Sequence, residues 1–328
     1  MARHGWCFSA FTDFCLWLGS TKAPFWSRGD GFYQLDSPRQ IHHLRNGVKV
    51  IIEEGDAARQ SGSVSPLHEL NRRAWDDRVR RRDWYIDAAR ESDFKHPLAV
   101  VDQCGWLGGE VTGKRLLCLA AGGGRHGPLF ASAGARVTVV DISPATLALD
   151  RQVAAERGLE LRLIEASMDD LAVIEPDSFD IVVQPVSTCY VPDIGRVYRE
   201  VARVLVEGGV YVSQHKQPVN MQAEARPSGR GYALIEPYYR DGPLPPSEPG
   251  LWHREAGTVE YLHRWEHLLG GLCKSGFIIE DIAEPRHADP LAEPGTFAHR
   301  SSFVPPYLKI KARRVTSRTS TAPKFWVP

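Results

Sequence analysis

Short apolar runs rich in β-branched residues recur through the middle of the chain and predict β-strands. These runs lie at 116–120, 136–141, 161–166, 179–183 and 209–214. Helical patterns separate them at 127–134, 144–157 and 193–205. Nearly continuous apolar strands that alternate with helices are typical of a parallel sheet with helices on both faces. The pattern therefore predicts an α/β fold.

The pattern changes on both sides of this alternation. Residues 66–90 have a helical period and contain several aromatic residues. After 217–250, which is rich in proline, the spacing predicts a helix at 258–275 and then strands at 277–281 and 307–313. One face of that helix carries Val259, Leu262, Trp265, Leu269 and Leu272. The last strand alternates polar and apolar residues, as an edge or antiparallel strand does.

A glycine-rich turn links the first of the alternating strands to the helix that follows it. AGGGRHG at 121–127 places Gly122, Gly124 and Gly127 at the G-x-G-x-x-G spacing of a dinucleotide-binding loop. Such a turn lets a ligand approach the backbone and presents amide groups at a helix N-terminus. Asp141 ends the second strand, where its carboxylate can accept hydrogen bonds from ribose hydroxyls. Nicotinamide dinucleotides and S-adenosylmethionine both carry an adenosine ribose, so these features leave both ligands open.

Two observations favour S-adenosylmethionine. A short-chain dehydrogenase needs Tyr and Lys four residues apart on a helix, and the only such pair, Tyr307 and Lys311, falls in a predicted strand. EASMDDL at 165–171 directly follows the third strand. There Asp169 can accept the hydrogens of an adenine amino group, and Met168 can pack on the base.

With these motifs, residues 95–315 resemble the class I S-adenosylmethionine-dependent methyltransferases. Within that family they resemble a bacterial group with an LCLAxGGG loop and a PVS segment after the fourth strand. The resemblance implies a seven-stranded, mostly parallel sheet in the order 3-2-1-4-5-7-6, with an antiparallel seventh strand and helices on both faces. The cofactor-binding residues that it implies, from the methionine end through ribose and adenine to the sulfonium, are Ala120, Gly122, Gly124, Asp141, Ile142, Ser167, Met168, Asp169, Pro185, Val186 and Ser187.

The chain departs from the family pattern in its first strand. Cys118 stands where the family has an acidic residue, and Ala120 stands where it has the first glycine. The carboxylate that usually lies under the methionine amino group is therefore missing, and another acid or a backbone carbonyl must replace it. Arg125 follows the turn, where it can meet the methionine carboxylate or face solvent.

Methyl transfer from a sulfonium is an in-line displacement that depends mainly on alignment and desolvation. If the acceptor is a hydroxyl or an amine, a base must also remove a proton, and a base with a pKa near neutral does this best. We predict His215, after the fifth strand, as this base, with Tyr190 as the other candidate. The His residues show no metal-ligand spacing, so no metal is predicted. Tyrosines in 217–250 predict a lid over a small-molecule acceptor.

The sequence favours a methyltransferase that acts on a small molecule, with O- or N-methylation preferred to C-methylation. An NAD(P)-dependent oxidoreductase with the same loop is the alternative, as is a non-catalytic S-adenosylmethionine-binding protein. Lys plus Arg and Asp plus Glu both total 40, which argues against nucleic acid or a membrane as a partner. The six cysteines form no C-x-x-C pair, which suits a cytoplasmic protein.

Four segments are predicted. Residues 1–65 lack a sustained period and are expected to be a poorly ordered extension, and the Asp in their first apolar stretch argues against an export signal. Residues 66–100 are expected to form a helical cap in which Trp75, Trp84 and Tyr85 cover the cofactor cleft. The methyltransferase domain is expected at 101–315, and a C-terminal tail at 316–328.

Overall fold

The computed structural model describes residues 39–43, 49–54, 65–83, 86–248 and 253–315. Predictions for residues 1–38, for Trp84 and Tyr85, and for the tail at 316–328 lie outside these ranges. Within them, a single mixed sheet forms the centre of the fold.

The sheet has nine strands among the described residues. They are β1 (Arg39–His43), β2 (Lys49–Glu54), β3 (Arg115–Leu119), β4 (Arg136–Asp141), β5 (Leu161–Glu165), β6 (Phe179–Gln184), β7 (Leu205–Lys216), β8 (Phe277–Ala283) and β9 (Tyr307–Arg314). Their order is β1-β2-β5-β4-β3-β6-β7-β9-β8. The last seven positions reproduce the predicted order, and β9 is antiparallel to both β7 and β8. The predicted fold class is confirmed.

Two of these strands fall in the segment that showed no period in the sequence. β2 pairs in parallel with β5, and β1 pairs antiparallel with β2 at the edge of the sheet. Strands of five and six residues give too short a pattern to stand out in an irregular segment. Residues 39–43 and 49–54 of the expected extension therefore belong to the sheet.

The helices cover both faces of the sheet. They are α1 (Pro66–Arg81), α2 (Pro97–Val101), α3 (His126–Ser132), α4 (Pro144–Arg157), α5 (Ile194–Val204), α6 (Pro218–Gln222), α7 (Gly271–Lys274) and α8 (Phe297–Ser301). Single 3₁₀ turns occur at Glu91–Lys95 and Thr188–Tyr190, and a π-helix at Glu266–Gly270 precedes α7. Among the described helices none is both long enough and apolar enough to cross a membrane.

The sheet separates two apolar layers. Alternate side chains of β3 point to opposite faces, so Leu116 and Cys118 join one layer while Leu117 and Leu119 join the other. Helices α3 and α4 pack on the Cys118 side, and α5 packs on the opposite side. Because β3 is enclosed on both faces, its carboxyl end, where the glycine-rich turn begins, is firmly positioned.

The prediction of a helix at 258–275 is wrong for residues 258–264. Residues 258–264 are not helical, and helix begins only near Trp265. The Val259 amide donates to Asn71 Oδ1 at 2.8 Å, and the Tyr261 amide donates to the Cys189 carbonyl at 2.7 Å. These tertiary bonds use amides that a helix would need internally, and they outweigh the local helical period.

Candidate active site

A cavity opens at the carboxyl ends of β3, β4, β5 and β6, beneath α1. Ligands of open α/β sheets bind at this edge. The residues that line the cavity are His68, Asn71, Trp75, Ile86, Asp87, Ala120, Ala121, Gly122, Gly123, Arg125, His126, Asp141, Ile142, Thr146, Ser167, Met168, Pro185, Val186, Ser187, Tyr190 and Val191.

The spacing of the glycines in the turn is explained by the close approach of α4 and β4. A Cβ on Gly122 would lie 2.4 Å from Thr146 Oγ1 of α4, and one on Gly127 would lie 2.6 Å from a β4 side chain. Gly124, with a φ of +77°, also packs against α4. Only Gly123 combines a positive φ with open space at its Cβ position, and it lines the cavity. The G-x-G-x-x-G pattern here therefore serves helix packing more than binding of a pyrophosphate.

The carboxylate of Asp141 lies at the wall of the cavity where β4 ends. It accepts hydrogen bonds from the Gly122 amide at 2.9 Å and from the Ser143 amide at 2.9 Å. Burial raises the pKa of Asp141, and these amide bonds partly oppose that rise. Asp141 also lines the cavity, where its carboxylate is placed to meet a ribose hydroxyl.

The predicted adenine residues meet a residue of α1. His68 Nε2 lies 3.3 Å from Asp169 Oδ1, and the same carboxylate oxygen accepts a hydrogen bond from Ser167. The hydrogen bond that His68 donates to the Asp169 carboxylate raises the pKa of His68. Gln184 holds the Met168 side chain in place, because Gln184 Nε2 lies 3.2 Å from the Met168 sulfur. One wall thus combines an apolar thioether with a carboxylate and an imidazole.

Helix α1 is held over the cavity by two buried polar residues. Asn71 Nδ2 donates to the Tyr190 carbonyl at 3.1 Å, and its Oδ1 accepts from the Val259 amide. Asp76 accepts from Ser143 Oγ at 2.6 Å, directly at the start of α4. These bonds place Trp75 at the cavity wall, with its ring in an edge contact with Tyr190 at 5.6 Å.

Tyr190 stands between the cavity and a buried group of charges. Its side chain is 6% exposed, and its hydroxyl is within hydrogen-bonding reach of Glu255. Burial, followed by the charge of Glu255, raises the pKa of Tyr190 well above its ordinary value. Tyr190 is therefore a neutral hydroxyl that can donate to Glu255 and accept from a ligand.

The charges behind Tyr190 form a neutral cluster of four side chains: Lys216, Arg254, Glu255 and Glu260. Lys216 Nζ contacts Glu255 and lies 2.6 Å from Glu260. Arg254 Nε lies 2.6 Å from the other oxygen of Glu260. Burial raises the pKa of Glu255, but the ammonium of Lys216 outweighs this and leaves the pKa below its ordinary value.

His215 does not lie in the cavity. Its ring is 0% exposed, with Nδ1 2.8 Å from Thr188 Oγ1 and Nε2 2.8 Å from Ser213 Oγ. Burial, with a smaller effect of the neighbouring His263, lowers the pKa of His215 to about 3. Both ring nitrogens are engaged inside the protein, so this geometry gives no support to the prediction that His215 takes a proton from the acceptor.

The cavity lining includes all predicted cofactor residues except Gly124 and Asp169. Gly124 packs on α4, and Asp169 lies behind Ser167. Ala120 adopts a φ of +47°, a left-handed conformation that costs a residue with a Cβ roughly 1–2 kcal/mol. Arg125 lines the cavity and pairs with Asp93 at 3.1 Å.

The tyrosines of the predicted lid contact other parts of the surface. Tyr232 lies 2.8 Å from His299 Nδ1, and Tyr238 accepts from the Trp265 amide at 3.2 Å. Tyr239 is 78% exposed. In the described part of 217–250 these side chains pack away from the cavity, so the lid stays a prediction.

Helix α1 supplies two polar lining residues that the sequence analysis did not identify. His68 and Asn71 belong to a helix whose only predicted cavity residue was Trp75. Their signal in the sequence is weak, because nothing in a helical period distinguishes a polar residue facing a cavity from one facing solvent.

Comparison with known proteins agrees with this arrangement. Residues 117–213 match the family described as a methyltransferase domain. The chain is 31% identical over 237 residues to the uncharacterized methyltransferase YbaJ of Bacillus subtilis, covering 68% of this chain and 92% of that protein. It is 30% identical over 185 residues to the ubiquinone biosynthesis O-methyltransferase of Stutzerimonas stutzeri, covering 52% and 76%. A solved S-adenosylmethionine-dependent methyltransferase from Mesorhizobium loti matches with a TM-score of 0.50 and 28% identity, covering 62% and 93%.

Sheet order and cavity together define a Rossmann-like nucleoside-binding enzyme of the methyl-transferring class. The chain belongs to the S-adenosylmethionine-dependent methyltransferases. Its cofactor is S-adenosylmethionine. The residues present fit this group: a glycine turn open at Gly123, a carboxylate at Asp141 and a thioether wall at Met168 are suited to a nucleoside bearing an amino acid.

Replacing Asp141 with Ala is expected to weaken S-adenosylhomocysteine binding by about tenfold to a hundredfold, because charge-assisted hydrogen bonds contribute roughly 1.5–3 kcal/mol. Calorimetric titration measures the loss. Asp180→Ala, at the opposite end of the sheet beside Arg115, should bind normally and serves as the control. Normal affinity in a folded Asp141→Ala protein would remove Asp141 from the cofactor site.

Proposed function

We propose that this enzyme methylates an oxygen or nitrogen atom of a small molecule bound beside Tyr190. The observation that carries the proposal is the position of Tyr190, which borders the cavity on one side and Glu255 on the other. Pro185, Val186 and Ser187, which we assign to the cofactor, line the same cavity as Tyr190. An acceptor between them would meet the methyl donor and a proton acceptor together.

The cofactor supplies an electrophilic methyl group on a sulfonium, and the chain's own residues handle the acceptor. Trp75 and Val186 exclude water with apolar surface, which favours reaction of a desolvated nucleophile. The acceptor's proton passes to the Tyr190 oxygen while the Tyr190 proton passes to Glu255. The acceptor would then carry the electron pair that forms the new bond to the methyl carbon, and the bond from that carbon to the sulfonium sulfur would break with its electron pair remaining on sulfur. Tyr190 remains a neutral phenol throughout, as its raised pKa requires.

The relatives support a hydroxyl acceptor more than a carbon acceptor. The Stutzerimonas stutzeri relative is named an O-methyltransferase of ubiquinone biosynthesis. Phenolic or other hydroxyl-bearing small molecules are therefore the first class to test, followed by amines. We also propose that the chain is a member of the bacterial group with an LCLAxGGG loop. In this proposal α1 is a cap over the cavity, and residues 217–250 form a lid over the acceptor.

A screen with methyl-labelled S-adenosylmethionine tests the proposal. Phenols, aliphatic alcohols, amines and activated carbon acids are offered separately, and the products are identified by mass spectrometry. The proposal expects label on oxygen or nitrogen. Label found only on carbon, or only on protein or nucleic acid, would contradict it.

A further inference from the structure

The family's usual acid is absent from β3, yet a different carboxylate lies under the same turn. Asp150 belongs to α4 and is 0% exposed. Its Oδ2 accepts a hydrogen bond from the Gly123 amide at 2.8 Å. Gly123 is the residue of the turn that is open toward the cavity. Asp150 therefore holds the turn from the side opposite the ligand.

The second oxygen of Asp150 is not used by the protein. Oδ1 is buried and has no hydrogen-bond partner among the described residues. A Cβ on Gly127 would approach this oxygen to 3.0 Å, so the third glycine of the motif also makes room for it. A buried carboxylate with one oxygen that accepts no hydrogen bond destabilises the folded protein unless a cation or a proton neutralises its charge.

Cys118, at the family's acid position, cannot supply the missing charge. Its thiol is fully buried, and burial, with the nearby charge of Asp150, raises its pKa well above the ordinary value. In this chain the carboxylate near the glycine turn is therefore on α4, at Asp150, and not on β3.

We propose that Asp150 replaces the missing strand carboxylate: it fixes the glycine turn from beneath and supplies the negative charge that favours the cationic amino group of the cofactor's methionine. It is a positioning residue, since it acts through the Gly123 amide and does not touch the reacting atoms.

The surroundings of Asp150 give the proposal a pH dependence. Burial raises its pKa to about 7, with a further rise from Asp141 and an opposing effect of the glycine amides. Cys118 stays neutral, and His126 at the start of α3 also stays neutral because burial lowers its pKa to about 4. The neighbouring cation of α3, Arg125, is paired with Asp93.

The direction of the pH effect follows from these pKa values. The folded-state pKa of Asp150 is above its ordinary value, so without cofactor its contribution to stability falls as the pH rises toward and through about 7. A bound ammonium favours the ionised form and lowers that pKa. Cofactor binding should therefore tighten as the pH rises through about 7, with release of a proton.

Titration with S-adenosylhomocysteine at about pH 6 and about pH 8 tests the proposal in the full-length protein. The wild type is expected to bind S-adenosylhomocysteine up to about tenfold more tightly at the higher pH. This ratio of affinities follows from the ionisation of a single group, Asp150, with a pKa of about 7. Asp150→Asn should lose this pH dependence and bind as weakly at both pH values as the wild type does at the lower one. Glu156→Gln makes the same acid-to-amide change on the exposed face of α4 and should behave as the wild type.

Thermal unfolding separates this role from a merely structural one. Asp150→Asn removes an unfavourable buried charge, so at about pH 8 it should be at least as stable as the wild type while binding less tightly. A joint loss of stability and affinity, without any change in the pH profile, would overturn the proposal. So would a pH dependence that survives in Asp150→Asn and disappears in His68→Asn.

The wild type alone provides a second measurement if Asp150→Asn fails to fold. Titration in two buffers of different ionisation enthalpy counts the protons released on binding. Release of about half a proton to one proton near pH 7 is expected, and binding without release would overturn the proposal. None of these measurements depends on the identity of the methyl acceptor.

Discussion

Replacing Tyr190 with Phe is expected to lower methyl transfer to a hydroxyl acceptor by about 10²–10⁴-fold, the usual effect of losing a general base. The substitution keeps the aromatic ring and its edge contact with Trp75, and Asn71 bonds to the backbone of Tyr190, which does not change. Only the connection from the acceptor to Glu255 is lost. Initial-rate kinetics with saturating S-adenosylmethionine measure the effect.

Cofactor binding should be almost unaffected by this change. S-adenosylhomocysteine affinity of Tyr190→Phe should stay within about twofold of the wild type, a difference of less than roughly 0.5 kcal/mol. Tyr239→Phe, which alters an exposed tyrosine, provides the control. Normal turnover in Tyr190→Phe would refute the proton path through Glu255, and reduced S-adenosylhomocysteine affinity would make Tyr190 a cofactor-binding residue instead.

Replacing Lys216 with Met is expected to lower the free energy of unfolding by about 3–5 kcal/mol. The ammonium of Lys216 is buried between Glu255 and Glu260, and its loss leaves Glu255 without its cation. For a protein of this size each kcal/mol lowers the melting temperature by roughly 2–4 °C. Denaturant unfolding followed by circular dichroism measures the loss.

A lysine on the neighbouring strand provides the control. Lys311 pairs with Glu280 at 3.2 Å, but both side chains are partly exposed. Lys311→Met should therefore cost less than about 1 kcal/mol. Equal stability losses in the two variants would show that burial of the Lys216 cluster has no special role in holding residues 254–260 against β7.

The sequence was sufficient to predict strands β3 to β6, because they are buried on both faces and appear as nearly continuous apolar runs, and the family resemblance implied the order of seven strands. Most residues predicted to bind the cofactor line the cavity, because they directly follow strands whose carboxyl ends meet there, and their contact with the cofactor stays a prediction. The outer strands β1 and β2 were missed because they lie in residues 1–65, where no sustained period and no alternation with helices marks them. Residues 258–264 were wrongly predicted as helix because their extended form depends on Asn71 and Cys189, far away in the chain.

The chemistry at the site was less predictable for a related reason. His215 follows β7, as a ligand-binding residue would, but its side chain points to Thr188 and Ser213 inside the fold. The direction of a side chain at a strand end depends on how residues far apart in the chain pack together. The same is true of Asp150, whose role becomes visible only when α4 is placed beneath the glycine turn.

A calorimetric titration with S-adenosylhomocysteine, and separately with NADH and NADPH, tests the central claim most directly. The account predicts that one molecule of S-adenosylhomocysteine binds per chain and that Asp141→Ala weakens this binding by about tenfold to a hundredfold. It also predicts no measurable heat with either nicotinamide cofactor, because the chain belongs to the S-adenosylmethionine-dependent methyltransferases. Binding of NADH or NADPH that displaces S-adenosylhomocysteine, or no binding of S-adenosylhomocysteine to the folded protein, would contradict it.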